Sequence, residues 1–480
     1  MLKLLPTPKY VAKDGNEKKE VKLCICSNVS DWEKYAHLFI EYFELAHGIN
    51  LDYDFGGIEL NFDETHKSGA YSIESDKVVI ASASSDEGIL YALSSLMQIF
   101  AIENGKMYLE NMVLNDYPDK EHRAIMIDLG RHWHPFEKLK KFVDICFLYK
   151  IKYLNLHFID FKLYTLPSRK YPKLPTPGKS YTFEQIEELN RYAKDRGVII
   201  VPEYECPGHA TVFNRAYPEI FSDNMAGGCD VVMTTECGGT IGSEDIICAG
   251  NEKCTNATFE ILKEICDMFP NSPYIHIGGD EAPVSVWDSC SVCKKYMEEN
   301  GISGSQELYG EYVGRVCKYI LSIGKTPMVW EGFPEESNHH IPKETIVIGW
   351  ENLYQTSDKL LDAGFKVINS SWQPLYIVQH YRERWDPRDI LDWNVYNWQH
   401  WWSNSKAYSN PINVEPTDSV IGSMMCAWEM NYEQEINFII ENLIAMSERV
   451  WNVDRKKTDE EYFDCQLPLT GMVAKIIQDR

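Results

Sequence analysis

Tyr274-Ile275-His276-Ile277-Gly278-Gly279-Asp280-Glu281-Ala282-Pro283 is a short apolar run that passes through two glycines into two adjacent acids. Read as the end of a buried strand, it puts Asp280 and Glu281 at the strand's carboxyl end. Successive side chains on a strand face opposite sides, so two acids in a row share one site only if the backbone turns there. Gly278 and Gly279 permit that turn. Two crowded carboxyls resist double ionisation, so one can stay an acid while its neighbour stays an anion, the division of labour that glycoside cleavage needs. The competing reading is an Asp-Glu pair at a helix N-terminus, stabilised by the helix dipole.

Outward from this stretch, Pro273–Ile277 is one of eight short apolar runs. The others are Ala124–Leu129, Lys152–Phe158, Gly197–Glu203, Thr326–Trp330, Thr345–Trp350, Phe365–Ser370 and Ile421–Trp428. Continuous rather than alternating hydrophobicity fits strands buried on both faces of a parallel sheet. Helical segments lie between them. Thr182-Phe-Glu-Gln185 reads as a capping box, Ile186, Leu189 and Ala193 give a buried stripe, and Gly197 ends it. Gln306–Ile323 and Tyr432–Val450 are equally periodic. Eight strand–helix units predict an α/β (β/α)8 TIM barrel over residues 118–480, including a C-terminal helix, with function at the carboxyl ends of the strands. Residues 1–117 predict a small α+β domain, with strands at Val21–Cys26 and Lys77–Ser82 and a helix over Glu87–Ile102.

The strand ends carry Asp128, His157, Asp160, Glu203, Glu205, His209, the Asp280–Glu281 pair, Trp330, Glu331, Trp350, Glu351, Ser370, Trp372, Trp428 and Glu429. Acids and indoles dominate, with no Lys or Arg among them. Six of the thirteen tryptophans fall between Trp372 and Trp402. Flat aromatic faces beside carboxylates suit a sugar ring, whose C–H groups stack and whose hydroxyls need charged acceptors. Packing of the long insertion on itself is the alternative for any single indole.

With 47 Lys plus Arg against 72 Asp plus Glu, the formal charge of −25 repels phosphate backbones and anionic membranes, so neither nucleic acid nor membrane is expected as a partner. Apolar content of 44% is that of a globular protein, and the first residues offer no export signal. Fourteen scattered cysteines suit reduced thiols, so a cytoplasmic location is expected, a secreted one being the alternative. Cys290 and Cys293 form a C-x-x-C, with Cys229, Cys237, Cys248 and Cys254 upstream. No second C-x-x-C or close Cys/His pair completes a zinc set, so unpaired thiols are expected, a structural zinc being the alternative. No metal or cofactor is expected in the active site.

The chain resembles glycoside hydrolase family 20, the β-N-acetylhexosaminidases. The likeness rests on Tyr71-Ser-Ile-Glu with Val78–Leu96, His122-Arg-Ala-Ile-Met-Ile-Asp-Leu-Gly-Arg-His-Trp, Val-Pro-Glu-Tyr-Glu-Cys-Pro-Gly-His ending at His209, the Tyr274–Glu281 signature and Ser447-Glu-Arg-Val-Trp451. It implies a retaining exo-enzyme that releases terminal N-acetylglucosamine or N-acetylgalactosamine from a glycan, in which the substrate's own acetamide carbonyl attacks the anomeric carbon to give an oxazolinium ion. On that resemblance Glu281 is the general acid and base, Asp280 orients the acetamide and balances charge, and Tyr376 bonds the acetamide oxygen. Trp330, Trp350 and Trp428 line the pocket, Arg123 and Asp160 hold ring hydroxyls, and His209 supports the site. Glu205 stands where the family usually has Asp.

The chain departs from the pattern in three places. Asn155-Leu-His157-Phe-Ile-Asp160-Phe161-Lys162 keeps one His and one Asp of a longer motif. Tyr376 is followed by Ile377-Val378 instead of Leu-Asp, and Glu429-Met430 shifts a carboxylate that reads sugar hydroxyls, so the sugar's 4- and 6-positions are expected to be read differently. A substituted or extended sugar unit is thus an alternative substrate. His132-Trp-His134 imitates a metal pair and keeps a metal-dependent barrel hydrolase as the enzymatic rival. A non-catalytic sugar-binding protein is the other, against which the intact acid pair argues.

Overall fold

The computed structural model describes residues 2–28, 32–222, 233–234, 240–378 and 385–480. All eight apolar runs form strands: β1 (His122–Asp128), β2 (Tyr153–His157), β3 (Ile199–Glu203), β4 (Tyr274–His276), β5 (Thr326–Trp330), β6 (Ile346–Gly349), β7 (Lys366–Asn369) and β8 (Val420–Trp428). Each pairs in parallel with the next, and β8 also pairs with β1, so the sheet closes into a barrel. Closure explains the continuous hydrophobicity of the runs. Ala124, Met126, Met328, Trp330, Ile346, Ile348, Met424 and Cys426 fill the interior. The alternate positions, among them Ile125, Ile127, Leu154, Leu156, Val329 and Val347, belong to the larger core shared with the helices.

The helix over Phe183–Asp195 begins as its sequence dictates. Thr182 Oγ1 accepts from the Gln185 N–H, and the Gln185 side chain accepts from the Thr182 N–H. Gly197, at φ +69°, ends it. Long helices also follow β1 (Phe136–Leu148), β3 (Glu252–Met268), β4 (Ser305–Ser322) and β8 (Tyr432–Trp451). The eight units are unequal, however. Among the described residues only the 3-10 turn Glu335–His339 follows β5, and β6 and β7 are followed by the six-residue helices Ser357–Asp362 and Pro387–Asp392. No helix among the described residues is long and apolar enough to cross a membrane.

Ahead of the barrel stands a sheet whose strands run in the order Tyr10–Val21, Lys106–Asp116, Tyr71–Ser75, Val79–Ala83, Ile58–Phe62, Cys24–Ser27 and Asp52–Tyr53. Its longest strands, Tyr10–Val21 and Lys106–Asp116, escaped the search for apolar runs, because the first is mostly polar in sequence and the second alternates buried with exposed positions. Sheet and barrel meet through a buried polar network. Trp451 Nε1 donates to Asp116 Oδ1 at 2.8 Å, and Lys150 Nζ reaches Tyr71 Oη at 2.8 Å and Asp116 Oδ2 at 3.4 Å. Arg196 Nε donates to Asp144 at 2.9 Å, beside a Tyr42 hydroxyl that bonds the same carboxylate. The C-terminal helix Asp459–Asp479 packs on the helix Glu33–His47.

Candidate active site

Closed-barrel register sets the floor of the site. Asp128 pairs with His157, His157 with Glu203, and Glu203 with His276, so four polar side chains stand at one level across β1 to β4. Buried charges are tolerable only when paired, and these are. Glu203 Oε1 lies 3.2 Å from His157 Nδ1 and 3.1 Å from His276 Nδ1, and accepts from Trp330 Nε1 at 2.8 Å. Burial works against the Glu203 anion, but the two imidazoles outweigh it and hold the carboxyl well below its usual range. Burial likewise opposes charge on His157, yet Glu203 and Asp160 raise it well above an ordinary histidine.

On this floor the chain leaves β4 through Gly278 (φ +68°) and Gly279 (φ +87°), and Glu281 itself is left-handed at φ +45°. The turn does what the two glycines predict. Asp280 Oδ2 and Glu281 Oε2 lie 3.6 and 3.5 Å from one atom, His209 Nε2, so consecutive carboxylates face one site. Gly278 is obligatory for a second reason. A Cβ there would stand 1.8 Å from Glu205 Oε2. A left-handed non-glycine residue is costly, and its persistence at Glu281 marks a conformation imposed by its surroundings. Tyr309 Oη donates to the Gly279 carbonyl at 2.6 Å and pins the turn from below. Asp280 Oδ1 is buried and has no donor within the protein.

His209 is held from its other side by Asp160 Oδ1 at 3.5 Å. Burial disfavours its charge, but Asp160 and the carboxylates of Asp280 and Glu281 raise it well above the ordinary value. Asp160 is fully enclosed. Arg131 Nη2 at 3.0 Å and His157 Nε2 at 2.8 Å complete its shell, and despite burial these cations hold its carboxyl well below the usual range. Asp160 thus positions Arg131, His157 and His209 instead of meeting solvent. Glu205 is similarly enclosed under Gly278, and burial, reinforced by Asp280, keeps its carboxyl protonated well above the usual range.

The aromatic wall comes from β5, β6, β8 and the segment after β7. Trp330 lies 6.0 Å from both Trp350 and Trp428, ring centre to ring centre. Tyr376 stacks on Trp372 at 4.5 Å and is nearly parallel to Trp350 at 6.2 Å. The Trp350 indole is fixed by donation from Nε1 to the Glu331 carbonyl at 2.8 Å. The Glu331 carboxylate accepts three backbone N–H groups, from Asn352, Tyr354 and Gln355, and so shapes the wall from behind. Glu429 stands at the rim with its side chain 39% exposed, 3.8 Å from Arg131 Nε and 3.9 Å from Lys162 Nζ, while Met430 turns into the core.

One expectation is corrected. Arg123 is not in this site. It lies at the amino end of β1, where Nε donates to the Lys150 carbonyl, Nη1 to the Lys120 carbonyl and Nη2 to Tyr91 Oη, and where its guanidinium covers Trp451. The guanidinium beside the acids is that of Arg131, over the Trp428 ring at 5.0 Å. It lies three residues beyond the end of β1, inside the same His122–Trp133 motif, whose two arginines the sequence alone does not tell apart. The metal rival loses its pair as well. His134 Nε2 is bonded to Glu435 Oε2 at 2.7 Å, and among the described residues neither His132 nor His134 joins a group able to ligate an ion. His157 with Glu203 and Glu205, and His209 with Asp280 and Glu281, are close enough to share one. Outside the site, Cys248, Cys290 and Cys293 meet in one buried cluster, whereas Cys229 and Cys237 lie outside the described residues.

The sequence profile described as glycosyl hydrolase family 20, catalytic domain, matches residues 121–454. A β-hexosaminidase of Porphyromonas gingivalis is 26% identical over 359 residues, covering 69% of this chain and 45% of its own length. One of Akkermansia muciniphila is 29% identical over 308 residues, covering 61% of this chain and 60% of its own. This chain therefore spans about half the length of these curated relatives. The crystal structure of an exo-β-N-acetylglucosaminidase of Vibrio harveyi in complex with N-acetylglucosamine superposes with a TM-score of 0.83 at 20% identity, over 98% of this chain and 77% of that one, a likeness of fold.

Proposed function

The chain belongs to glycosyl hydrolase family 20, and from that premise we propose that it is a retaining exo-β-N-acetylhexosaminidase working through the substrate's own acetamide. The observation that carries this reading is the convergence of Asp280 and Glu281 on His209 beneath the cup of Trp330, Trp350, Trp428 and Tyr376. Terminal β-linked N-acetylglucosamine or N-acetylgalactosamine is the unit the cup would take.

In this reading Glu281, the more open of the two acids, gives its proton to the leaving oxygen, and the acetamide carbonyl oxygen attacks the anomeric carbon from the opposite face. Asp280 accepts from the acetamide N–H through Oδ1, which has no donor of its own, and its charge balances the growing oxazolinium ion. Glu281 then takes a proton from water as the ring reopens. The Tyr376 hydroxyl steadies the acetamide oxygen, and the indoles exclude water around the acetyl methyl. Arg131 and Glu429, at the rim, read ring hydroxyls. Met430 is buried, so Glu429 supplies the carboxylate offered to the outer hydroxyls.

The test is a panel of aryl β-N-acetylglucosaminide, β-N-acetylgalactosaminide and β-glucoside substrates. Turnover of an N-acetylated member with none of the glucoside is expected, with the β-anomer released first by proton NMR. Initial release of the α-anomer, or a sugar trapped covalently on a carboxylate, would overturn the substrate-assisted reading.

A further inference from the structure

Away from the acids, the loops that follow β3 and β4 are drawn together by sulfur. Cys248 Sγ lies 3.7 Å from Cys290 Sγ and 3.6 Å from Cys293 Sγ, and all three residues are buried. These separations are too long for a disulfide, whose sulfurs sit about 2.05 Å apart. They match the edge of a tetrahedron of thiolates around one ion, about 3.8 Å for metal–sulfur bonds of ~2.3 Å.

Cys290 is the N-cap residue of the helix Ser291–Asn300 and Cys293 lies in its first turn, where the helix dipole favours a thiolate. Gly250 lets the loops meet, since a Cβ there would stand 2.8 Å from the Cys293 Cα.

We propose that Cys248, Cys290 and Cys293 bind one structural zinc ion that staples the loop after β3 to the loop carrying Asp280 and Glu281. Each thiol loses its proton to solvent as its sulfur–zinc bond forms. Three soft thiolates select zinc over magnesium or calcium, which prefer oxygen. Among the described residues no fourth donor joins the trio, so the fourth position falls to water. The staple would brace the Asp280–Glu281 turn, because its two loops also touch at Gly208, where a Cβ would stand 2.8 Å from the Asp280 carbonyl. This inference does not depend on the proposed reaction.

The test starts with elemental analysis of the full chain, purified without chelator or affinity metal. About one zinc per chain is expected, falling below about a tenth in the Cys290→Ser/Cys293→Ser double variant. Stripping the ion should lower Tm by roughly 5 °C or more, and cobalt added to the stripped chain should give the sulfur-to-cobalt charge-transfer band of a tetrahedral thiolate site. If the double variant does not fold, the cobalt spectrum and zinc content of the unaltered chain decide alone. Zinc below a tenth per chain with no cobalt band would overturn the proposal, as would a mass two daltons low from a Cys248 disulfide, or a folded double variant that keeps its metal.

Discussion

A single left-handed residue decides where the acid points. Because Glu281 and Asp280 converge on one imidazole nitrogen, they differ in role, not place. Glu281→Gln removes the proton that a poor leaving group needs, so turnover of natural oligosaccharides should fall by a factor of about a hundred or more. An activated aryl glycoside should suffer less. Equal losses on both substrates, measured as kcat/KM, would remove Glu281 from the acid role. The two arginines offer a sharper comparison. Arg131→Leu strips a cation from the enclosed Asp160 and should cost about 3 kcal/mol of stability as well as kcat/KM, since breaking a buried pair leaves an uncompensated charge. Arg123→Met should lower Tm and leave KM within about twofold, because none of its hydrogen bonds reaches the strand ends where the acids sit. A raised KM for Arg123→Met alone would restore it to the site. At this scale the sequence was readable wherever chemistry and strand position coincided, as at Asp280, Glu281, Trp330, Trp350 and Trp428. It misled at Arg123, which stands at the far end of β1, whereas the second arginine of the same motif, Arg131, stands beside the acids.

At the scale of elements, the eight apolar runs found the eight barrel strands within a residue or two, since burial on both faces writes itself as unbroken hydrophobicity. The same rule overlooked Tyr10–Val21 and Lys106–Asp116. Lys106–Asp116 alternates, the signature of a sheet with one wet face, and Tyr10–Val21 carries mostly polar residues, so a search for continuous runs passes over both. The thiol cluster was legible only in part, the C-x-x-C and the upstream cysteines being visible but not which of them meet. Cys248 lies 42 residues from Cys290, and only the packing of two strand-end loops brings them together. The turn after β4 is the element most exposed to test. Gly278→Ala puts a methyl group where Glu205 Oε2 already stands and in a backbone region alanine avoids. Activity should be lost together with several degrees of Tm, whereas Gly324→Ala, a left-handed glycine with open space around it, should cost only about 1 kcal/mol. Near-normal turnover by Gly278→Ala, measured beside it, would mean that the turn does not set the acids.

For the whole molecule, sheet and barrel share a buried charge whose cost depends on pH. Burial lowers Lys150 from 10.5 to about 8 in spite of Asp116. Between those two values the unfolded chain holds a proton that the folded chain has lost, so stability rises with pH across that window. Comparison with Lys150→Met isolates the effect. Urea unfolding at pH 7.5 and pH 10 should show the unaltered chain gaining about 2 kcal/mol on the variant, and a constant difference would mean that Lys150 stays charged. The aromatic cup has a bearing of a different kind. Trp330, Trp350, Trp372, Trp401 and Trp428, five of the thirteen indoles, crowd around one small volume, so the protein's ultraviolet emission is weighted toward the place where a sugar would sit. Titrating N-acetylglucosamine into the chain should shift or quench that glow along a saturable curve, and glucose at equal concentration should not. The molecule carries its own lamp, and occupancy can be followed with unlabelled glycans in the dark-field simplicity of a cuvette.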